Sequence, residues 1–191
     1  MTQLNRQNQR QPNELRTANQ DERRLSRPLY TADERARRDS TVWTLVQGIL
    51  APLQFLVFLI SLALVLFYLI TGDGFQAATA SIIIKTGFLY AIMITGSIWE
   101  KVVFGRYLFA PAFFWEDAVS MIVIALHTAY LVALLGGIGT PTEQMAIALA
   151  AYVTYVINAA QFLLKLRAAR LEASLEASTQ APSSFAMEAA E

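Results

Sequence analysis

Three acids and one histidine lie at the edges of long apolar stretches or inside them: Glu100, Glu116, Asp117 and His127. The segment Trp99-Glu-Lys-Val-Val-Phe-Gly-Arg-Tyr-Leu-Phe-Ala-Pro-Ala-Phe-Phe-Trp-Glu-Asp117 is densely aromatic, with acids at both ends. Such a segment suits a platform for a flat, greasy ligand with carboxylates placed beside it. The alternative is an aromatic belt at a membrane interface. A belt does not require the repeated Trp-Glu pairs, Trp99-Glu100 and Trp115-Glu116. Glu116 and Asp117 also open an apolar helix, where acids favour the helix dipole, so part of their reason is structural.

Further polar residues recur at helical spacing within apolar runs. Gln47, Gln54, Ser61 and Tyr68 are seven residues apart on one face. Thr154, Asn158, Gln161 and Lys165 line a second stripe, and Ser120, His127 and Tyr130 share a third. Polar groups inside a membrane are costly, so they face the bundle interior and often mark function. The plain alternative is interhelical hydrogen bonding, worth ~0.6 to 2 kcal/mol per contact. At ~1.5 Å per residue, Gln54, His127 and Asn158 lie roughly 10 to 15 Å below one membrane surface. Glu100, Glu116 and Asp117 ring the mouth above them, which outlines a polar cleft in an apolar bundle. Lys85 is read apart from this cleft, midway along its span and nearer the opposite surface. There it is neutral, paired or in a wet cavity, with structural and functional roles both open.

The elements that would position these residues follow from hydropathy. Hydrophobic residues make up 55% of the 191, and the mean hydropathy is +0.40. They crowd into residues 45–166, which predicts an all-α, integral membrane four-helix bundle with disordered polar N- and C-terminal tails. The spans are placed at 45–70, 77–98, 118–138 and 145–164, each long enough to cross a hydrocarbon core of ~30 Å. Residues 1–28 are a polar extension read as disordered. Residues 29–44 form a short juxtamembrane helix opened by the capping box Thr31-Ala-Asp-Glu34. Residues 167–191 are a helix extension and a disordered tail. No leader peptide is read, so the first span would serve as its own membrane signal. Nine arginines precede Leu45, Lys101 and Arg106 lie between spans two and three, and Lys165, Arg167 and Arg170 follow span four. The positive-inside rule then puts both termini and the aromatic loop in the cytoplasm. Gly87, Ala91 and Thr95 form a small-residue stripe open to another helix, of this chain or a different one.

Composition also excludes several functions. The absence of cysteine rules out disulfides, cysteine zinc sites, iron–sulfur clusters and a thiol nucleophile. A single histidine rules out a multi-histidine metal site.

Five stretches resemble the 2-vinyl bacteriochlorophyllide hydratase family of phototrophic bacteria. They are Leu29-Tyr-Thr-Ala-Asp-Glu-Arg-Ala-Arg-Arg-Asp39, Trp43-Thr-Leu-Val-Gln-Gly-Ile-Leu-Ala-Pro-Leu-Gln-Phe-Leu-Val-Phe58, Gly96-Ser-Ile-Trp-Glu-Lys101, Leu108-Phe-Ala-Pro-Ala-Phe-Phe-Trp-Glu-Asp117 and Ile157-Asn-Ala-Ala-Gln-Phe-Leu-Leu-Lys165. Together they cover about residues 28–171, and the Trp-Glu-Lys and Phe-Trp-Glu-Asp stretches are the most specific. The resemblance implies a hydro-lyase of bacteriochlorophyll a synthesis. It would add water across the 3-vinyl group of a chlorophyllide or bacteriochlorophyllide to give 1-hydroxyethyl. It implies a bacterial inner membrane, either cytoplasmic or intracytoplasmic photosynthetic.

The residues fit that chemistry. Protonating the terminal vinyl carbon leaves a cation spread over the macrocycle, which water then attacks. This needs a general acid, a positioned water and an apolar slot, and no cofactor; magnesium belongs to the substrate. A carboxyl held partly out of water keeps its proton near neutral pH. Glu100 and Glu116 are the first candidates and Asp117 the next. His127 is an axial ligand to the substrate magnesium, a base orienting water, or a plain interhelical hydrogen bond. Trp99, Trp115, Gln54, Tyr130, Asn158 and Gln161 are read as substrate-binding. Lys101 or Arg106 would hold the substrate propionate. Besides substrate, water and lipid, a second copy or another enzyme of bacteriochlorophyll synthesis is an expected contact; nucleic acid is not. The rival readings are a non-catalytic pigment-binding or assembly subunit of a photosynthetic complex, which would not need the acids, and a small transporter running through Lys85.

Overall fold

The structure, a computed structural model, describes residues 29–188. The extension read over residues 1–28 lies outside the described residues, as do the last three residues of the tail. Five helices follow in order: α1 Ala32–Ser40, α2 Val42–Thr71, α3 Phe75–Phe104, α4 Phe114–Leu135 and α5 Pro141–Glu188. Four of them, α2 to α5, contain stretches long and apolar enough to cross a membrane, with α5 doing so over Pro141–Leu171. The chain is an all-helical membrane bundle.

Local chemistry sets the helix ends. Thr31 and Glu34 make both bonds of the capping box at α1: Glu34 accepts from the Thr31 amide at 2.8 Å, and Thr31 Oγ1 accepts from the Glu34 amide at 3.3 Å. A second capping box opens α5. There Glu143 accepts from the Thr140 amide at 2.7 Å, Thr140 Oγ1 accepts from the Glu143 amide at 3.3 Å, and Pro141 takes the first helical position. Gly105 ends α3 in the left-handed region at φ 81°, where its amide donates to the Lys101 carbonyl.

The helices outrun the spans read from hydropathy at every end but one: α4 stops at Leu135, short of residue 138, where Gly136 and Gly137 break the helix. α3 continues through Trp99, Glu100 and Lys101 to Phe104, and α4 begins at Phe114. The connecting loop is therefore only residues 105–113, and Glu100 is a helix residue. Hydropathy fades at Glu100-Lys101, whereas the backbone stops only where glycine permits the left-handed turn. Beyond Leu166, α5 continues as helix to Glu188, over much of the stretch read as a tail.

Each spanning helix packs on its neighbours in sequence, and α2 closes the ring against α5. α1 lies on the end of α3 nearest the chain termini, where Arg37 Nε donates to the Val103 carbonyl at 2.9 Å. The central core is built from Phe58, Val65, Ile82, Leu89, Val123, Tyr130, Met145 and Tyr152, with buried Ala78, Ala148 and Ala151 letting backbones approach. Leu135 and Ile70, 84% and 82% exposed, stand on the outside, as lipid-facing side chains must. The stripe of Gln47, Gln54, Ser61 and Tyr68 faces inward. Gln47 Nε2 donates to Thr95 Oγ1 at 2.7 Å, Ser61 bonds Tyr152 at 2.5 Å, and Tyr68 packs on Phe75. Part of the small-residue stripe thus receives α2 of this same chain, while Gly87 and Ala91 remain exposed.

Candidate active site

The end of the bundle where α3 stops and α4 begins holds all three acids, each nearly sealed from solvent: Glu100 at 5% exposure, Glu116 at 6% and Asp117 at 3%. Glu100 comes from the last turns of α3, and Glu116 and Asp117 from the first turn of α4. The carboxyls of Glu100 and Asp117 face each other within hydrogen-bonding reach. Two carboxyls can bond to each other only with a proton between them, so this geometry suits a shared proton. The loop closes over the pair and donates to it. The Phe109 amide reaches Asp117 Oδ2 at 2.7 Å, and the Ala110 amide reaches Glu100 Oε2 at 3.2 Å. Phe109 adopts φ 57°, a conformation that costs a bulky residue energy and is held here by its neighbours.

Glu116 points elsewhere. Its Oε2 pairs with Lys165 Nζ of α5 at 2.5 Å. Lys165 also donates to the Ala112 carbonyl in the loop and lies 5.0 Å over the Phe113 ring. The Glu116 carbonyl accepts from Asn158 Nδ2 at 2.8 Å, and Ser120 Oγ lies within reach of both that carbonyl and Asn158 Oδ1. With one proton shared by that pair, three carboxyls and one lysine would carry a single net negative charge. The loop amides are placed to hold it.

An aromatic wall stands beside the acids. Phe113 meets Trp99 at 5.7 Å, Phe104 at 5.8 Å and Phe162 at 5.9 Å between ring centroids. Tyr30 is inserted into the same wall, stacked on Phe104 at 5.7 Å, with the Arg38 guanidinium 4.7 Å from its ring centre. Burial raises the Tyr30 phenol pKa, partly offset by Arg38, so it stays neutral. Trp99 Nε1 donates to Thr44 Oγ1 at 2.9 Å, which ties the wall to α2. Outside it, Tyr107, Phe109, Phe114 and Trp115 are exposed, Trp115 to 71%.

The family profile described as 2-vinyl bacteriochlorophyllide hydratase (BCHF) matches residues 30–168. A protein of Cereibacter sphaeroides bearing that name is 73% identical over 146 residues, which cover 76% of this chain and 91% of that protein. One of Rhodobacter capsulatus with the same name is 70% identical over 148 residues, covering 78% of this chain and 86% of that protein. The chain belongs to the 2-vinyl bacteriochlorophyllide hydratase family. No solved structure matches it.

For a member of this hydratase family, the sequence-derived residues divide into four groups. Glu100, Glu116, Asp117, Trp99 and Asn158 come together at one end. Lys101 and Arg106 are exposed at the rim, where Lys101 Nζ donates to the Gly105 carbonyl at 2.9 Å and sits over Tyr107. Trp115 is at the same rim, pointing outward. Gln54 Oε1 and Gln161 Oε1 are buried acceptors with no protein partner, and Gln161 lies one turn from both Asn158 and Lys165.

His127 and Tyr130 do not join the acids. His127 is ten residues past Asp117 on α4, ~15 Å along the helix. Both of its ring nitrogens are engaged: Nδ1 with the Val123 carbonyl at 2.8 Å and Nε2 with Lys85 Nζ at 2.9 Å. No lone pair is left for magnesium, so the axial-ligand role does not fit this geometry. Tyr130 is fully buried among core residues, its hydroxyl turned to that of Thr79. Lys85, read as lying apart from His127, is in contact with it. The same Nζ sits 4.3 Å from the Tyr155 ring centre and 5.0 Å from that of Tyr152. Sequence reading omitted Lys165, Tyr30 and Phe113 from the site. Lys165 had a signal, since it stands on the stripe of Thr154, Asn158 and Gln161, but it was given no role in the site and was otherwise used to orient the chain.

Proposed function

We propose that this chain hydrates the vinyl group of a chlorophyllide or bacteriochlorophyllide, using the Glu100–Asp117 pair as its proton store. The observation that carries the reading is that pair, sealed beneath the loop amides and next to an aromatic wall. In this reading, the shared proton passes to the terminal vinyl carbon. The cation left on the ring-attached carbon is delocalised into the macrocycle and stabilised by the cluster's net negative charge. Water adds at that carbon and returns one proton to the carboxylate, so the acid is regenerated and no cofactor is consumed. General acid catalysis of this type contributes ~10² to 10⁴-fold.

The binding roles follow the geometry. Trp99 and Phe113 would form one wall of the slot, with Trp115 at its rim. Arg106 and Lys101, exposed at the same rim, would take the propionate. Gln161, a buried acceptor one turn from Lys165, suits the attacking water. The reading puts this end of the bundle in the cytoplasm, because the basic residues of the loop and of both flanks gather there.

The test is hydration of chlorophyllide a by membranes of a host lacking bacteriochlorophyll synthesis, followed by absorbance and mass. The expected result is a shift of the red band to shorter wavelength and a mass gain of one water without added cofactor. Pigment bound unchanged, while another member of the family converts it in the same assay, would overturn the reading in favour of a pigment-binding subunit.

A further inference from the structure

Glu116 and Asp117 are neighbours in sequence, yet they serve different partners. Asp117 turns to Glu100 and the Phe109 amide. Glu116 turns to α5, where its side chain meets Lys165 and its carbonyl meets Asn158. Lys165 has three attachments: the Glu116 carboxylate on α4, the Ala112 carbonyl in the loop, and the face of Phe113 in the aromatic wall.

We propose that Lys165 is the positioning residue of this site, dividing the three acids into one ion-paired support and one proton-bearing pair. The proposal rests on the hydratase reading above. An acid already bonded to an ammonium is an acceptor with no proton to give, so Glu116 is withdrawn from acid duty. Its charge is balanced locally, and the cluster's stored proton then belongs to Glu100 and Asp117. Through Ala112 and Phe113, the same ammonium fixes the end of the loop whose amides hold that pair. Were Lys165 absent, Glu116 would be a buried carboxylate without a counter-ion beside two more carboxyls. It would compete for the shared proton, and the loop would lose its anchor.

The experiment compares Lys165→Met, Glu116→Gln, the double variant and Glu100→Gln in the chlorophyllide a assay, with full kinetics. Lys165→Met is expected to lower kcat more than tenfold while KM stays within about threefold, because the residue does not touch substrate. The double variant should regain at least half of that loss on a logarithmic scale, since removing Glu116 removes the uncompensated charge. Glu116→Gln should retain more than a tenth of wild-type turnover, where Glu100→Gln falls more than a hundredfold. A double variant no better than Lys165→Met overturns the proposal, as does a Glu116→Gln loss equal to that of Glu100→Gln. If Lys165→Met fails to insert, the Glu116→Gln against Glu100→Gln comparison decides alone. Wild-type membranes without hydration would instead sink the hydratase reading, which keeps the two failures apart.

Discussion

The molecule buries two polar clusters, and they are built differently. The one near the chain termini has acids, a lysine, loop amides and an aromatic wall drawn from α1 to α5 and the loop. The one deeper in the bundle has Lys85, His127, Ser61, Ser81 and two tyrosines, all on regular helix, and no acid contacts its lysine. The deeper cluster looks more costly, since a membrane penalises charge most near its centre. Yet its bonds close on one another: His127 on the Val123 carbonyl, Lys85 on His127, and Ser61 on Tyr152. That is the signature of helix-to-helix adhesion. In the proposed reading, the first cluster instead holds a transferable proton under a loop whose amide bonds substrate would replace. Depth in the membrane is thus a poorer guide to chemistry than what the polar groups are bonded to.

This contrast can be broken by experiment. The largest effect is expected at the proton pair: Asp117→Asn, like Glu100→Gln, should lower chlorophyllide a turnover more than a hundredfold. Losses under tenfold in both would move the chemistry elsewhere. Next comes the loop. Phe109→Pro removes the amide that Asp117 accepts and forces φ away from 57°, so kcat should drop about tenfold or more. Phe109→Gly keeps the amide and relieves the strained φ, so it should keep most of the activity, with the lost Phe114 contact and added chain entropy offsetting the relieved strain in stability. In the deeper cluster, Lys85→Met should change kcat less than threefold. Its effect should appear in thermal melting in detergent, either way by ~1 to 3 kcal/mol, since a buried charge gives up desolvation as well as contacts. A hundredfold loss of turnover would make this cluster part of the catalytic site. The smallest effect is expected at Tyr130→Phe. Its hydroxyl meets only the neutral Thr79 hydroxyl, away from the acids, so turnover should stay within twofold and stability within ~1.5 kcal/mol.

The four spans, the inward stripe of α2 and the capping box at Thr31 were legible because each depends on residues at most one or two turns apart in repeating pattern. Glu100, Glu116 and Asp117 were legible as a group because they flank one short aromatic segment between two apolar stretches. Their division was not. Glu116 and Lys165 are 49 residues apart, and their meeting depends on how α4 and α5 are rotated. Lys85 and His127 were misjudged for a related reason: counting residues along each helix fixes depth only for upright rods, and a lysine chain reaches several ångströms from its backbone. Tyr30 precedes the first helix, in a stretch whose own pattern says nothing about insertion into an aromatic wall.

The spacing of Glu116 and Lys165 also bears on how the protein is made. A ribosome delivers the two acids at the start of α4 well before α5. At roughly 5 to 20 residues per second, the 49 residues to Lys165 take on the order of 2 to 10 s. For that time the nascent chain carries an acid at the membrane edge with no lysine to meet it, and α2 has not yet gained α5 as a neighbour. Insertion of the last helix therefore both closes the ring and neutralises that acid. A chain cut short before α5 would have three spans and all three acids, with no lysine to balance Glu116.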